Sequence, residues 1–426
     1  MQYIKYPDRA EWGRILSRPA LDNESLSGTV RTVLDDVKRR GDEAVREYES
    51  RFDHVELESL AVTESELVEA ETLVSGELKQ AIIMAHENIE KFHAAQNVDL
   101  PSVETMPGVR CWQKALPIER VGLYIPGGTA PLFSTVLMLA TPARLAGCRE
   151  ITLCTPPGRD GKVHPAVLYA AKVAGVARIF KIGGVQAIGA MAYGTQSVPK
   201  VYKIFGPGNQ YVTAAKQLVS LRDVAIDMPA GPSEVEVIAD ATADAAFVAS
   251  DLLSQAEHGV DSQAVLVTVD EKLAEAVIGE VERQLAALPR REIAEKSIAN
   301  SKIILLENMA DVVEITNEYA PEHLIVSTKN HRDIAEQIVN AGSIFLGNYT
   351  PESAGDYASG TNHTLPTNGY AKAYNGVNLD SFRKKITFQE ITRDGLSQIG
   401  KTIEVMAENE HLFAHKNAVS IRLKQN

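Results

Sequence analysis

The chain has few cysteines, and their number and spacing exclude two kinds of site. The three cysteines, Cys111, Cys148 and Cys154, are odd in number and lack the CxxC spacing of structural zinc sites and redox pairs. We therefore expect reduced thiols and a cytoplasmic protein. Any zinc would have to use histidine, carboxylate or amide ligands, a set that favours a catalytic site over a closed structural one.

The chain also lacks basic runs and long apolar runs. Lys and Arg number 43 against 56 Asp and Glu, which gives a formal net charge of −13. Because nucleic-acid binding depends largely on Lys and Arg that meet phosphate, we expect no nucleic-acid partner. No apolar run approaches the roughly 20 residues that span a bilayer, and residues 1–4 do not begin a signal peptide. We expect no membrane partner.

The pattern that is present consists of helices followed by alternating strands and helices. The 426 residues, 45% of them apolar, are enough for two main domains. Apolar residues recur at helical spacing over 26–52 and 64–96. From residue 119 short apolar strands alternate with helices, and a second such set begins near residue 233. This alternation predicts two α/β units, each with a parallel sheet covered by helices on both faces.

Glycine-rich turns are the only indication of a dinucleotide site, because the fingerprint GxGxxG is absent. Three strands are followed by such turns: PGG at 126–128, GGVQ at 183–186 and GPGN at 206–209. Exposed N–H groups at the start of the following helices could hold phosphates, although glycine also ends strands for purely structural reasons. Three turns at the carboxyl ends of one sheet favour a ligand crevice.

Two segments offer metal ligands. In QAEHG at 255–259, Gln255 and His258 are three residues apart, which places both side chains on one helical face. A histidine at a helix end also serves simply as a partner of the helix dipole. Residues 352–363 form a long polar loop, and such loops in compact domains are usually functional or disordered. Asp356 in that loop is either a carboxylate ligand or a residue that makes a local turn hydrogen bond.

Two further pairs are candidates for chemistry. His411 and His415, beside Glu410, are four residues apart and would share one face of a helix; a plain surface pair is the default interpretation. Glu322 and His323 follow a proline at the start of a strand. One of the two would act as a general base while the other orients water or substrate, although a surface Glu-His pair is the commoner occurrence.

Together these segments resemble the histidinol dehydrogenase family. The resemblance rests on DMPAGPSE at 227–234, QAEHG at 255–259, APEHL at 320–324, residues 355–363 and AHKNA at 414–418. It runs in the family's order from about residue 20 to the end. It implies oxidation of L-histidinol to the aldehyde and then to L-histidine, the last two steps of histidine biosynthesis, with two NAD+ reduced.

The resemblance also implies a zinc site and a homodimer. The residues that resemble the family's zinc ligands, one Zn2+ per subunit, are Gln255, His258, Asp356 and His415. Such a set leaves coordination positions free for substrate, as in a catalytic site, where the zinc would bind and orient histidinol. In this family the C-terminal tail reaches across a homodimer, so His415 would complete the active site of the other subunit.

Roles in the reaction follow from the same resemblance. His323 would remove the hydroxyl proton as hydride leaves for NAD, and Glu322 would activate the water that attacks the aldehyde. The implied substrate contacts are Ser233, Gln255, His258, His323, Asp356, His363, Glu410 and His415. The implied NAD contacts are Tyr124, Gln186 and Asn209.

The family's fold implies an α/β protein with two incomplete Rossmann-like parallel-sheet domains, a helical N-terminal segment and a small C-terminal dimerisation tail. We predict an N-terminal arm at 1–25 and a first α/β domain made of 26–118 and 233–370. An NAD-binding, incomplete Rossmann-like domain is predicted at 119–232. The tail at 371–426 is predicted to contribute to the partner's site.

Two other functions are compatible with parts of the pattern. A relative on the same scaffold would oxidise another small alcohol, such as a sulfonated propanediol, with the same zinc set and acid–base pair. Ser233, His363 and Glu410 favour histidinol, because a cationic substrate suits an acidic neighbour. A non-catalytic binding protein of this fold would be expected to lose some of the candidate ligands and acid–base residues, since function resides in sites and not in folds. All of them are present.

Overall fold

The computed structural model describes residues 1–18, 23–127, 130–229 and 231–424. Its strands are β1 (Gln2–Lys5), β2 (Ser102–Met106), β3 (Val109–Pro117), β4 (Arg120–Tyr124), β5 (Glu150–Thr155), β6 (Arg178–Lys181), β7 (Lys203–Phe205), β8 (Ala225–Ile226), β9 (Glu234–Ala239), β10 (Gln263–Thr268), β11 (Lys302–Leu305), β12 (His323–Ser327), β13 (Ser343–Leu346) and β14 (Arg383–Ile391).

The α-helices are α1 (Trp12–Ile15), α2 (Asn23–Arg40), α3 (Asp42–Tyr48), α4 (Glu64–Leu73), α5 (Gly76–Ala94), α6 (Phe133–Ala146), α7 (Pro165–Val173), α8 (Gly184–Tyr193), α9 (Gln210–Ser220), α10 (Ala245–Ala256), α11 (Glu271–Leu285), α12 (Arg291–Asn300), α13 (Met309–Tyr319), α14 (His331–Ala335), α15 (Glu352–Tyr357), α16 (Arg393–Asn409) and α17 (Phe413–Lys424). A π-helical turn spans Glu49–Asp53, and short 3-10 helices lie at Arg9–Glu11, Tyr370–Lys372 and Leu379–Phe382.

Six parallel strands form the larger sheet, in the order β1-β11-β10-β9-β12-β13. Its four central strands are buried along their whole length. Successive residues of β9 face two different apolar clusters, Val237 one of them and Ile238 the other, because side chains alternate across a strand. Helices therefore cover both faces, as the near-continuous apolar strands predict.

Five parallel strands form the second sheet, in the order β6-β5-β4-β7-β8. Each strand that carries a glycine-rich turn, β4, β6 and β7, belongs to this sheet. The two parallel sheets confirm the predicted α/β class. None of the helices in the described parts of the chain combines the length and apolarity needed to cross a membrane.

The helices of the N-terminal part pack on the five-stranded unit. Val33 and Val37 of α2 share an apolar cluster with Ile188 of α8, and Ile82 and Ile89 of α5 share another with α6. The apolar stripes of α2 and α5 are thus buried against helices of the 119–232 segment. The predicted grouping of residues 26–118 with 233–370 into one domain stays a prediction. From the predicted arm, β1 pairs with β11 of the six-stranded sheet.

A third, antiparallel sheet lies outside the sequence prediction. Its order is β14-β3-β2, so residues 102–117 of the expected helical N-terminal segment are strands that pair with the C-terminal tail. Three stretches of helix also differ from expectation. The run 64–96 is divided at Ser75, whose side chain caps α5 by accepting the N–H of Leu78. Residues 352–357 of the expected loop form α15. His411 has a left-handed backbone (φ 60°) between α16 and α17, so it does not share a helical face with His415.

Candidate active site

Glu322 and His323 lie at the entrance to β12 and are buried, 5% and 4% exposed. α13 ends at Ala320 in a left-handed conformation (φ 53°), and the following proline directs the chain into the strand. Gly342 packs on the carbonyl of Glu322, where an added Cβ would lie 2.5 Å from the oxygen, so a side chain at that position would push the pair out of place. The surface interpretation of this pair is therefore excluded.

A backbone N–H group fixes the carboxylate of Glu322 by a hydrogen bond. Its Oε2 accepts the N–H of Glu234 at 2.9 Å and lies 3.7 Å from Nδ1 of His323. Burial raises the pKa of Glu322 to about 8, although the positive charge of His323 and the N–H of Glu234 limit the rise. A carboxyl group with a pKa near neutrality is suited to general acid–base work.

The imidazole of His323 is surrounded by carboxylates. Its Nε2 lies 3.5 Å from Oδ1 of Asp356 and its Nδ1 lies 3.7 Å from Oε1 of Glu352, yet neither nitrogen has a hydrogen-bond partner. Burial lowers the pKa of His323, but the attraction of Glu322, Glu352 and Asp356 outweighs it and raises the pKa to about 10. The three carboxylates therefore stabilise the protonated form of the ring.

Glu322, His323 and Asp356 form a buried cluster of ionisable side chains. Glu352 belongs to this cluster too, although the sequence analysis did not single it out. Its side chain is fully buried, and burial raises its pKa to about 8. One ligand atom each from Glu352, Asp356 and His258 lies within 4.8 Å of the others. The spacing of Glu352 and Asp356, four residues apart on one helical face, was the available signal, but it is informative only if the segment is recognised as helix.

Gln255 and His258 lie at the end of α10. Gln255, in the last turn, is fully buried, and neither atom of its amide has a hydrogen-bond partner. His258 follows the helix, with its N–H on the carbonyl of Gln255 at 3.2 Å, and its side chain is exposed. Because buried polar groups are almost always paired, an orphaned amide beside a histidine and two carboxylates fits a metal ligand.

His363 connects the cluster to the five-stranded unit. Its Nδ1 lies 2.9 Å from the carbonyl oxygen of Asp356, and its Nε2 lies 3.1 Å from the hydroxyl of Thr135 on α6. Burial lowers the pKa of His363. The cluster is thus located where the two α/β units meet.

The remaining predicted substrate residues are divided between the cluster and the tail. Ser233 immediately precedes Glu234, and its carbonyl accepts the N–H of Gln263 at 3.2 Å. Glu410 and His415 are exposed, on either side of the start of α17. Within the part of this chain that the structure describes, they make no contact with the buried cluster.

The predicted NAD residues lie at the carboxyl edge of the five-stranded sheet. The hydroxyl of Tyr124, the last residue of β4, accepts the N–H of Gly184 at 3.1 Å. Gln186, in the first turn of α8, is buried and donates to Oε1 of Glu49 at 2.8 Å. Asn209 is exposed and caps α9 by accepting two backbone N–H groups. The structure thus brings Tyr124 and Gln186 to one turn and places Asn209 after the neighbouring β7.

Two of the three glycine turns do not offer the free N–H groups that were expected. The N–H of Gly183 donates to Oε1 of the buried Glu49 at 2.9 Å. The N–H of Gly206 donates to Oδ2 of Asp227 at 2.8 Å, and Asp227 is also paired with Lys216 at 2.5 Å. The chain's own carboxylates therefore occupy positions that phosphates take in other α/β proteins. Gly128 of the first turn lies outside the described residues.

A cavity of about 560 Å³ opens beside the same edge, near the ends of β4 and β5. Its lining includes Gly127, Pro156, Asp53, His164 and Arg159. It is separate from the buried cluster, and its volume falls within the range of ligand clefts, about 300–1,000 Å³.

Arg18, near the N-terminus, fixes the strand that supports Glu322. Its guanidinium donates to Oε1 of Glu234 at 2.8 Å and to the carbonyl of Tyr319 at 2.7 Å, and it stacks over the Tyr319 ring at 4.0 Å. The second oxygen of Glu234 also accepts the hydroxyl of Tyr319 at 3.2 Å. Glu234, whose backbone N–H donates to Glu322, is therefore fixed by a buried ion pair with Arg18.

Parallel sheets with glycine turns at their carboxyl ends and a buried cluster of acids and histidines are the features of an α/β enzyme. Comparison with known proteins gives the family. The family model described as histidinol dehydrogenase matches residues 16–423. The histidinol dehydrogenase of Bacteroides fragilis is 68% identical over 425 residues, which cover 100% of this chain and 99% of that protein.

More distant relatives agree. The histidinol dehydrogenase of Salmonella typhimurium is 54% identical over 412 residues, which cover 96% of this chain and 94% of that protein. The crystal structure of histidinol dehydrogenase from Elizabethkingia anophelis is 55% identical, with a TM-score of 0.97 and coverage of 100% of this chain and 98% of that one. The chain belongs to the histidinol dehydrogenase family, and is accordingly an oxidoreductase. The resemblance seen in the sequence is confirmed.

Proposed function

We propose that the chain oxidises L-histidinol through L-histidinal to L-histidine with two NAD+, in a zinc-dependent reaction of histidine biosynthesis. The observation that carries the proposal is the buried pair of Glu322 and His323, with Asp356 on the other ring nitrogen and an orphaned amide, Gln255, nearby. Family membership supports the substrate, because the similar proteins are named for histidinol.

His323 acts as the general base in both oxidations. The step requires the neutral ring, which a cation bound at Asp356 would favour by offsetting the carboxylates that raise the pKa of His323. The neutral imidazole then takes the hydroxyl proton. NAD+ supplies the hydride acceptor. The proton leaves the hydroxyl oxygen and the hydride leaves the carbon that carries it. Because these two atoms are bonded to each other, the base has to face the alcohol in a fixed orientation.

Glu322 acts between the two oxidations. Its carboxylate, fixed by the N–H of Glu234, removes a proton from the water that attacks the aldehyde carbon. The imidazolium of His323 returns its proton to the aldehyde oxygen as the hydrate forms, so that the ring is neutral again and can take a hydroxyl proton from the hydrate in the second oxidation. A pKa raised to about 8 by burial makes this carboxylate a stronger base than an exposed one.

The zinc site is proposed at Gln255, His258 and Asp356, completed by His415 from the second subunit. The donor set fits, because ligand atoms of His258 and Asp356 lie within 4.8 Å of one another and the buried amide of Gln255 has no partner in the described part of the chain. When bound, the ion holds histidinol and orients its alcohol. Ser233, His363 and Glu410 are proposed as the further substrate contacts.

NAD is proposed to bind at the carboxyl edge of the five-stranded sheet, against Tyr124, Gln186 and Asn209. Tyr124 ends a strand of that sheet, and Gln186 and Asn209 lie at the starts of helices that follow strands of the same sheet, which supports this placement. The cavity at the ends of β4 and β5 offers room for a part of the nucleotide. The remaining domain boundaries, an arm at 1–25 and a tail at 371–426, are proposed with it.

A homodimer with shared active sites is proposed for two reasons. His415 is exposed and away from the cluster within its own chain. The tail also exposes large apolar side chains, Met406, Leu412, Phe413 and Ile421, which a partner subunit would cover. The three cysteines are unpaired, which supports the proposal of a reducing, cytoplasmic location.

The test is a coupled assay on the zinc-loaded protein with limiting L-histidinol and excess NAD+. The proposal expects two NADH per histidinol, with L-histidine as product. One NADH per histidinol, or no turnover of histidinol alongside turnover of a sulfonated propanediol, would support the rival dehydrogenase on the same scaffold. No turnover of either alcohol, together with binding of one of them, would indicate a non-catalytic binding protein of this fold.

A further inference from the structure

One turn of α15 presents a carboxylate to each nitrogen of His323. Glu352 and Asp356 are four residues apart on the same helical face. Oε1 of Glu352 lies 3.7 Å from Nδ1, and Oδ1 of Asp356 lies 3.5 Å from Nε2. Both carboxylates and the ring are buried. The ring is therefore bracketed by a single short helix.

The two carboxylates are not equivalent. Asp356 also faces His363, at 4.0 Å from its Nδ1, and it is a proposed zinc ligand. Oε2 of Glu352 accepts the hydroxyl of Ser254 at 3.2 Å, whereas Oε1 has no hydrogen-bond partner. Nδ1 of His323, which also has no hydrogen-bond partner, lies 3.7 Å from that oxygen. At 3.7 Å the two atoms are farther apart than a hydrogen bond, so the bond proposed below requires the two side chains to move closer together.

Packing keeps Glu352 in this position. Gly355 lies between the two acids on α15, and a Cβ there would be 2.7 Å from the ring of Phe345, so glycine allows the close approach of helix and ring. Phe345 in turn packs on His323, with ring centroids 5.9 Å apart. Because α15, Phe345 and His323 pack together, the carboxylate of Glu352 is fully buried against the ring.

We propose that Glu352 is a positioning residue for His323, accepting the N–H of Nδ1 and leaving Nε2 as the atom that takes the substrate proton. The proposal rests on the proposed function. A partner at one ring nitrogen determines which nitrogen carries the lone pair and how the ring is turned. Glu322 is less suited to that task, since its Oε2 is already held by the N–H of Glu234.

The structure offers one competing role for Glu352, that of an additional metal ligand. Its ligand atom is within 4.8 Å of those of His258 and Asp356. A metal ligand and a positioning residue differ in what their loss changes. Removal of a ligand lowers metal content, whereas removal of the positioning carboxylate leaves the metal in place and slows each step that uses His323.

The experiment compares Glu352→Gln and Glu352→Ala with a matched control, Glu236→Gln. Glu236 is also buried, and one of its carboxylate oxygens accepts the hydroxyl of Thr316 while the other has no partner. It has no proposed role in binding or catalysis. Each zinc-loaded variant is assayed with histidinol and, separately, with histidinal. kcat, KM and zinc content by mass spectrometry are measured, with circular dichroism to confirm folding.

We expect Glu352→Ala to lower kcat of both oxidations by about 100-fold, and Glu352→Gln by about 10-fold, because an amide oxygen still accepts the Nδ1 proton; such partners typically contribute 10–100-fold. KM for histidinol, zinc content and the control should stay at wild-type values. If Glu352→Ala does not fold, the near-isosteric Glu352→Gln decides alone.

Loss of zinc from the Glu352 variants would overturn the proposal in favour of a ligand. So would wild-type rates in Glu352→Gln and Glu352→Ala alike, or a defect confined to histidinal oxidation. The wild-type protein tests the proposed function independently: if it fails to oxidise histidinol, that function fails, whatever the zinc content of the variants.

Discussion

The backbone N–H of Glu234 donates a 2.9 Å hydrogen bond to the carboxylate of Glu322. Since β9 and β12 are paired neighbours in the six-stranded sheet, the donor is located by the strand ladder and does not depend on a side chain. The ion pair of Glu234 with Arg18 then fixes the strand end itself. The proposed water-activating carboxylate is consequently held in place from the protein interior.

Glu322→Gln should separate the two oxidations. The amide still accepts the N–H of Glu234, so the fold and the oxidation of histidinol to histidinal should remain close to wild type. Activation of water requires a base that the amide does not provide, so oxidation of histidinal should fall by about 10²–10⁴-fold. Stopped-flow assays started separately from each substrate measure this. An equal loss in both steps would contradict the assignment.

Hybrid dimers should reveal whether active sites are shared. His323→Asn removes the base within one subunit, and His415→Asn removes the proposed zinc ligand that the tail donates to the other. Each homodimer should be inactive, with low zinc content in His415→Asn. In a mixed dimer one site carries both substitutions and the other carries neither, so about half of wild-type activity per dimer should return. Absence of any recovery on mixing and refolding would argue against sharing.

Arg18→Met should destabilise the protein strongly. The side chain of Arg18 is 16% exposed and that of its partner Glu234 is 2% exposed, so the substitution leaves a buried carboxylate without its cation, at a cost of about 3–5 kcal/mol. Arg14→Met is the matched control, because the pair of Arg14 with Glu11 is 76% and 48% exposed and such pairs contribute about 0–1 kcal/mol. Urea unfolding measures the free energy of unfolding of both variants. Similar losses in the two would contradict a stabilising role for the buried pair of Arg18 and Glu234.

Glu236 should make stability depend on pH. Burial raises its pKa from 4.5 to about 8, with Glu234 adding to the rise and Thr316 and Arg18 opposing it. The folded state therefore keeps a proton that the unfolded state releases, and this stabilisation is present below about pH 4.5 and is lost as pH rises toward 8. Relative to wild type, Glu236→Gln should gain free energy of unfolding across that window, by at most about 1.4 kcal/mol per pH unit. A difference that does not change with pH would refute the assignment.

The sequence predicted the parallel sheets well because their signal is local. Strands such as β10 and β11 are apolar over most of their length and end at turn residues, and these features determine both the element and its burial. The antiparallel sheet was not predicted, since β3 pairs with β14 across more than 250 residues of sequence and neither strand is strongly apolar. The packing of α2 on the five-stranded unit also depends on tertiary contacts that helical periodicity does not specify.

The cluster could be predicted in part. Glu322, His323, Gln255, His258 and Asp356 are recognisable from family motifs, and the structure places the first two and Asp356 together. Glu352 was missed because it begins a six-residue helix in a segment rich in small and polar residues. The occupied glycine turns were missed as well. Glu49 reaches Gly183 from 134 residues away in sequence, and no local pattern indicates that contact.

The carboxylates on Gly183 and Gly206 have a consequence for how long a cofactor stays. A pyrophosphate at these two turns would find the N–H groups of Gly183 and Gly206 already bonded to carboxyl groups, and so would meet fewer free donors than in other α/β proteins. Residence of the dinucleotide should therefore be short compared with a site that has free helix N–H groups. Two NAD+ are proposed to be used for each histidinol, so rapid exchange suits the reaction: the reduced cofactor has to leave while the aldehyde remains behind.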